Sequence, residues 1–356
     1  LMNYLDLVAL GTVADVAPLT GVNRAFVRQG LKILSNRERL GLRLLIDQSS
    51  LNSSPTSYHL GYILGPKLNA PGRIGPADLA LKLLCSTSTS EANDLCEQIE
   101  ELNTQRREIE NITREQALAQ IDKNQSENSI IWAASEGWHP GVVGIVASRL
   151  KDKFNKPSIV IGFDGIDGKG SGRSVDGYDL GHAIQRLQRE GLIQQGGGHK
   201  MAAGLSLTKD QLKPAMGRLC ELAEKAKIMK AEAQELSVDG ILFIQAANID
   251  LIEELENCGP FGSAIREPRF AFCDVSMSFT KRVGDNHLKV RFSDDDGKSM
   301  DAICFRAFEG NLGQELSEHD GKKVHLVGKL DINYWQGKKS TQLILEDAAW
   351  PEELSI

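Results

Sequence analysis

"LIQQGGGHKMAAGLSL", residues 192–207, runs Gly196, Gly197 and Gly198 straight into His199 and Lys200 and then resumes an apolar, strand-like pattern. Glycine loses more backbone freedom on folding than any other residue, so three in a row imply that something comes close to bare main chain. Successive N–H groups in a glycine-rich turn form a nest for an oxyanion, and the missing side chains admit a phosphate or a sugar. A flexible connection is the plain alternative. The small residues of "AAGLSL" that follow suit close backbone packing better than slack. His199 and Lys200 then stand at the rim of whatever the glycines hold.

Working outward, residues 129–228 alternate apolar strands ("SIIWAAS", "PSIVIGF", "GKGSGRSV", "AAGLSL") with helical stretches at 141–153, 179–189 and 208–228, the pattern of an α/β unit. "GKGSGRSVDG" (168–177) sets Ser171, Arg173 and Ser174 on a glycine-rich strand, where hydroxyls and a planar guanidinium can converge on phosphate oxygens. A tight hairpin with an exposed arginine is the competing reading. In "SEGWHPGVVGIVASRL" (135–150), His139 precedes Pro140-Gly141 at a helix start, where backbone N–H groups and the dipole favour an anion. A histidine there serves equally well as a simple cap.

Nearer the start, "YLDLVAL" (4–10) reads as a buried strand, and the following "GTVADV" sets Asp15 at the carboxyl edge where open α/β sheets place ligands and metals. The alternative for Asp15 is a cap. Helical patterns follow at about 23–35, 41–49, 57–65 and 76–86. "LGPKLNAPGRIGPADLA" (64–80) reads as an irregular loop presenting Lys67, Asn69 and Arg73, either to a phosphate or as a rigid turn. From Thr89 to about Gln125, apolar residues recur at three- and four-residue spacing without Gly or Pro, which predicts one long amphipathic connector helix. Beyond residue 235, short β-like runs separated by "GDN", "DDDG" and "QGKK" predict a small barrel or sandwich. Its strand-binding candidates are Phe279, Lys281, Arg282, Lys289, Arg291, Phe292, Tyr334, Trp335, Lys338 and Lys339.

The bulk properties bound these readings. At 356 residues, 41% hydrophobic and 25% charged, the chain has room for two or three domains. It contains neither an apolar run of membrane-spanning length nor a basic, cleavable leader, which predicts a cytoplasmic protein. The six cysteines are scattered without metal or disulfide spacing. An apolar run begins almost at Leu1, as in a piece of a longer protein. The net charge of −7 is unevenly spread: residues 235–356 carry 13 Lys+Arg against 22 Asp+Glu, so any polyanion site must be a local basic cluster.

"LVALGTVADV", "LGPKLNAPGR", "WHPGVVGIVASRL", "GSGRS" and "GGGHKMAAGLSL", in this order, closely resemble single-strand-specific 5′→3′ exonucleases of the DHH/DHHA1 phosphoesterase superfamily. The resemblance implies an α/β fold, the end of a DHH domain (1–88) joined by a connector helix (89–127) to a DHHA1 domain (128–234), followed by an OB-fold barrel (235–356). It implies release of mononucleotides from the 5′ end of single-stranded DNA in repair and recombination. By resemblance Asp15 is a catalytic ligand of Mn²⁺ or Mg²⁺, Asn69 and Arg73 border the cleft, and His199 acts on the reacting phosphate. His139, Ser171, Arg173, Ser174, Gly196, Gly197, Gly198 and Lys200 then hold the strand. A single-strand-binding protein and a RecQ-type helicase are the protein partners implied, and no membrane.

The sequence also departs from the pattern. It has no "DHH" string and no paired-aspartate motif ahead of it, whereas a two-metal phosphoesterase needs several such ligands. Only Asp15 of that set is present, which predicts a fragment inactive alone. Two other readings stay open: a noncatalytic single-strand-binding scaffold, and a DHH-type oligoribonuclease or cyclic-dinucleotide phosphodiesterase. The barrel-like extension weighs against the latter, since short substrates need no extra strand-binding surface.

Overall fold

The glycine run is a strand, not a turn. The computed structural model describes residues 1–51, 53–121, 128–226, 236–319, 321–335 and 337–351, so the expected connector end (122–127) and the expected boundary at 234–235 fall outside it. Five strands, β1 (Ile131–Glu136), β2 (Ser158–Asp164), β3 (Asp167–Arg173), β4 (Gln195–His199) and β5 (Ala202–Thr208), form one sheet in the order β1-β2-β3-β5-β4. β1 and β2 are parallel and the remaining neighbours antiparallel, and the order puts the glycines of β4 on an edge.

The chain divides into two compact units, Leu1–Ile33 with Thr56–Leu60 and Glu235–Ile356, and Leu34–Pro55 with Gly61–Gln234. In the second unit, α3 (Leu40–Gln48), α5 (Gly65–Ile74), α6 (Leu79–Cys85) and α8 (Pro140–Phe154) pack on α7 (Thr89–Gln120). α7 begins where Ser88 accepts the Glu91 N–H, and it buries Ala92, Leu95, Cys96 and Ile99 on its apolar stripe. One face of the sheet meets α8 through Ala133, Val143, Val146 and Val160. The other meets α9 (Leu180–Arg189) and α10 (Leu212–Lys225) through Ile159, Ile161, Ile184, Leu205 and Leu219.

Two local expectations are overturned here. Residues 4–10 are not a strand but the start of α1 (Leu5–Ala14), whose buried positions Leu5, Asp6, Ala9 and Leu10 have helical spacing. A seven-residue apolar run cannot separate a buried strand from a buried helix; the partner decides. The partner is α2 (Gly21–Ser35): a Cβ on Gly30 would collide with Leu5 O and Ala9 Cβ, so the two helices touch at a glycine. The expected loop at 64–80 is largely helix α5, with Pro66 in the first turn, where its missing N–H has no intrahelical role, and Pro71 inside. α5 follows α4 (Ser57–His59) and the π-helical turn Leu60–Leu64.

The first unit closes a barrel. β7 (Phe270–Val283), β8 (His287–Ser293), β9 (Ser299–Cys304), β11 (Lys338–Ala349) and β10 (Lys323–Trp335) pair in that order, and β10 returns to β7. β6 (Gly240–Ile241) extends β7 in parallel, and α12 (Leu312–Ser317) lies in the connection between β9 and β10. Strict alternation drives the fold: Leu288, Val290 and Phe292 point inward from β8, as Met300, Ala302 and Cys304 do from β9. The result is the expected OB-type barrel after an α/β unit. Ahead of it, α11 (Ile249–Asn257) ends at Cys258 and Gly259, whose carbonyls accept from Arg24 and Arg28 of α2.

Candidate nucleic-acid interface

The sheet of the second unit has a bare patch. Strand register aligns Ser171, Gly204 and Gly197 in one row and Arg173, Ala202 and His199 in the next. Cross-strand partners project to the same side, so these six share a face. A Cβ at Gly197 would meet nothing within 4 Å, and one at Gly204 only Gly170 O at 3.9 Å. The other two glycines of the run face protein: Gly196 abuts Ile184 and Ile193, while Gly198 abuts Ala202 and Ala203 across the hairpin. Only the middle glycine is therefore open to a ligand.

One guanidinium shares this face, and a second lies close enough to act on it. Arg173 donates from Nη1 to Ser171 Oγ at 3.0 Å and to its neighbour's carbonyl, Gly172 O, at 2.9 Å. It lies against α8 where Gly144 leaves room: a Cβ there would be 3.1 Å from Arg173 Nη2 and 3.0 Å from Ser171 Oγ. Arg73, in the last turn of α5, donates to Gly141 O at 3.1 Å. Burial lowers the pKa of Arg173, and repulsion from Arg73 lowers it further. Neither arginine has a carboxylate partner among the described residues. Two like charges held together without a counter-ion leave a place for an anion.

Other candidates fall out differently. Asn69 is exposed on α5 four residues before Arg73, hence on the same side of that helix. His139 is the N-cap of α8, its Nδ1 accepting the Gly141 N–H at 3.0 Å, while Val142 N–H goes to His139 O. The first donors of that helix are thus already used, as the cap reading expects. Ser174 is buried, and its hydroxyl donates to Tyr178 O at 2.8 Å, holding the turn after β3. His199 and Lys200 are exposed; His199 Nδ1 accepts from Met201 N–H at 3.3 Å, leaving the other ring nitrogen for solvent or ligand. Asp15 belongs to the first unit, where it is the exposed C-cap of helix α1 rather than a residue beyond a strand end.

A trio on α7, buried at Asn103 and Glu110 and half-buried at Arg106, escaped sequence reading. Arg106 donates to Glu110 Oε2 at 2.6 Å and to Asn103 Oδ1 at 2.8 Å. Burial lowers its pKa, Glu110 opposes that, and Arg73, Arg107 and Arg149 push it down again. Spaced at i, i+3 and i+7 within a charged helix, these residues look in sequence like ordinary solvated side chains.

The residues present do not make a two-cation centre. Asp15 is one carboxylate, and among the described residues no group of three or more His, Cys, Asp or Glu side chains could hold a metal ion. Nor is any helix among them long and apolar enough to cross a membrane.

Comparison with known proteins places the chain. Residues 127–225 match the DHHA1 domain family and 238–347 the RecJ OB domain family. The single-stranded-DNA-specific exonuclease RecJ of Escherichia coli (strain K12) is 35% identical over 99% of this chain and 62% of its own length. The Bacillus subtilis (strain 168) protein of that name is 32% identical over 98% of this chain and 44% of its own. RecJ from Thermus thermophilus, solved with Mn²⁺, superposes with a TM-score of 0.84 at 28% identity, over 99% of this chain and 50% of that one. This chain spans about half the length of the relatives it matches. It belongs to the RecJ family, of whose members it matches a C-terminal portion.

Proposed function

We propose that this chain is the strand-gripping half of a single-stranded-DNA-specific 5′→3′ exonuclease, and that its second unit seats the terminal 5′-phosphate. The observation that carries this is the pair Arg73 and Arg173, which repel one another and have no carboxylate partner among the described residues, with Arg173 bonded to Ser171 at the edge of a glycine-floored shelf. A phosphomonoester supplies the charge those arginines lack. Its oxygens accept from both guanidiniums and from the Ser171 hydroxyl, while the attached sugar lies over Gly197 and Gly204. His199 reaches the same face from β4 and orients the phosphate next along the strand. Ser174 and His139 shape the site from beneath without touching DNA.

Hydrolysis in the family uses divalent cations, and solved RecJ structures hold Mg²⁺ or Mn²⁺. We assign Asp15 one ligand position, with the others outside these residues. The barrel serves as a second strand-binding surface, its outer face presenting Phe279, Lys281, Lys289 and Arg291 in register. Fluorescence anisotropy with this chain tests the central assignment. A 5′-phosphorylated oligothymidylate should bind more tightly than its 5′-hydroxyl counterpart, and Arg173→Ala should erase the difference. Equal affinity for both ends in the unmodified chain would refute it.

A further inference from the structure

The basic face of the barrel is occupied by its own acid. Inward-pointing Leu288, Val290 and Phe292 fix Lys289 and Arg291 on the outer face of β8. There Phe279 stands opposite Arg291, and Lys281 opposite Lys289. Two lysines directly across a ladder repel and weaken the sheet, a cost that an anion lying between them would relieve. On the other side of β8, Arg291 faces Asp301 of β9. The Asp301 carboxylate takes both cations: Oδ1 lies 2.6 Å from Arg291 Nε and Oδ2 lies 3.0 Å from Lys289 Nζ. Partial burial raises its pKa, but the two ion pairs outweigh that and hold it below the ordinary aspartate value, while Arg291 is raised in turn.

We infer that Asp301 is an internal competitor for phosphate, holding Lys289 and Arg291 until a phosphodiester displaces it and so keeping the barrel's grip on single strands weak. The inference rests on the proposed strand-binding role of the barrel. Geometry supports competition: a carboxylate and a phosphodiester present similar oxygen pairs to a guanidinium, and one fork cannot serve both fully. The pairs are about half exposed on the basic side, so displacement is inexpensive, as for any surface ion pair. The phenyl ring of Phe279 beside Arg291 offers a base a stacking surface once the backbone is seated.

The test uses this chain carrying Arg73→Ala and Arg173→Ala, so that residual binding of fluorescein-labelled oligothymidylate reports the barrel. In that background Asp301→Asn should tighten binding about three- to tenfold, the scale expected from two exposed ion pairs. It should also steepen the dependence of log affinity on log salt by up to about 1.4, since two more cations become free to replace counterions. Asp301→Glu, which keeps the carboxylate, should stay near the parent. If Asp301→Asn binds no better while Lys289→Ala and Arg291→Ala each weaken binding, Asp301 is only a brace and the inference is wrong. If neither alanine change alters binding, the strand-binding reading of the barrel has failed instead. Thermal melting accompanies each variant, and Asp301→Ser replaces Asp301→Asn should the latter melt early.

Discussion

Substituting the three consecutive glycines one at a time separates the part of β4 that packs from the part that binds. A Cβ at Gly196 would overlap Ile184 Cγ2 and stand 2.8 Å from Ile193 Cδ1; one at Gly198 would overlap Ala202 O and stand 2.5 Å from Ala203 Cα. Overpacking of this kind costs about 1–3 kcal/mol. In a unit of this size that lowers Tm by roughly 2–12 °C. Gly198→Ala should be the worse of the two, because its obstacle is backbone and cannot turn aside. Gly197→Ala meets nothing within 4 Å, and its backbone is outside the left-handed region. There the restricted unfolded chain should stabilise by about 0.4–1 kcal/mol. Binding should run the opposite way. If the sugar lies on the open glycine, the side chain added by Gly197→Val lifts it and draws the attached phosphate off a guanidinium, losing a charged-group hydrogen bond worth about 1.5–3 kcal/mol. That weakens 5′-phosphorylated oligothymidylate about 10- to 150-fold. Differential scanning fluorimetry and anisotropy on the same preparations read both axes. A Gly197→Val protein that melts normally and binds as the parent does would remove the shelf from the interface.

Arg173→Lys should recover only part of the affinity lost in Arg173→Ala, because it restores charge without the fork, and each arginine removed should flatten the salt slope by about 0.7; an unchanged slope would return the arginine to a packing role. The 356-residue chain should hydrolyse no labelled single strand even in excess Mn²⁺, and Asp15→Ala in a chain joined to the remaining length its relatives carry should abolish turnover while sparing strand binding. Robust cleavage by the short chain, or equal loss of binding and rate, would contradict the assignment of Asp15. Glu190, held by Arg218 and Arg186, has its pKa lowered to about 2. A depressed acid contributes stability that is present above its unfolded pKa and lost as pH falls toward the folded one. Glu190→Gln should therefore lower Tm at neutral pH and leave it unchanged near pH 2, an effect that added salt should reduce; a difference that persists in that acid range would point to lost packing instead.

What the sequence disclosed depended on whether a pattern had one physical solution. The barrel strands were legible because their apolar residues alternate, and only a half-buried strand buries such a set. "YLDLVAL" was not, because its fate is decided by Gly30 on another helix, a contact that no local window contains. In α5, two prolines and three glycines within 64–75 argued for a loop; yet Pro66 sits where a helix tolerates it, and Gly65 and Pro71 are buried in packing. The inference of a close approach at Gly196–Gly198 was sound, but for two of the three the approaching group is protein: α9 on one, the neighbouring strand on the other. Ser171 and Arg173 converge as their spacing on one strand suggests. Ser174, one residue on, was indistinguishable from them until its burial against the turn at Tyr178 appeared.

If a chain of net charge −7 is to grip a polyanion, as proposed, it must concentrate its attraction where cations lack partners. Arg73 and Arg173 meet that condition among the described residues. Lys289 and Arg291 do not, because Asp301 answers both, and Arg269 and Lys329 on the same barrel are likewise taken by Glu346. Counting basic residues would give the barrel a strong hold on DNA; counting unpaired ones gives a weak hold. On the proposed activity, removing one nucleotide per cycle needs that asymmetry. On that reading the proposed terminal-phosphate seat must discriminate and bind firmly for each cut, whereas contacts along the strand must break and reform every time the strand advances. A carboxylate poised to retake the cations lowers the barrier to that release, since lysine and arginine then exchange one anion for another rather than for bare water. On this argument the acidity of the barrel is part of how the strand moves, and Asp301→Asn in an active, full-length relative should slow release between successive cuts even as it tightens binding. A processive rate that rises or stays level with the tighter grip would break the link between the two.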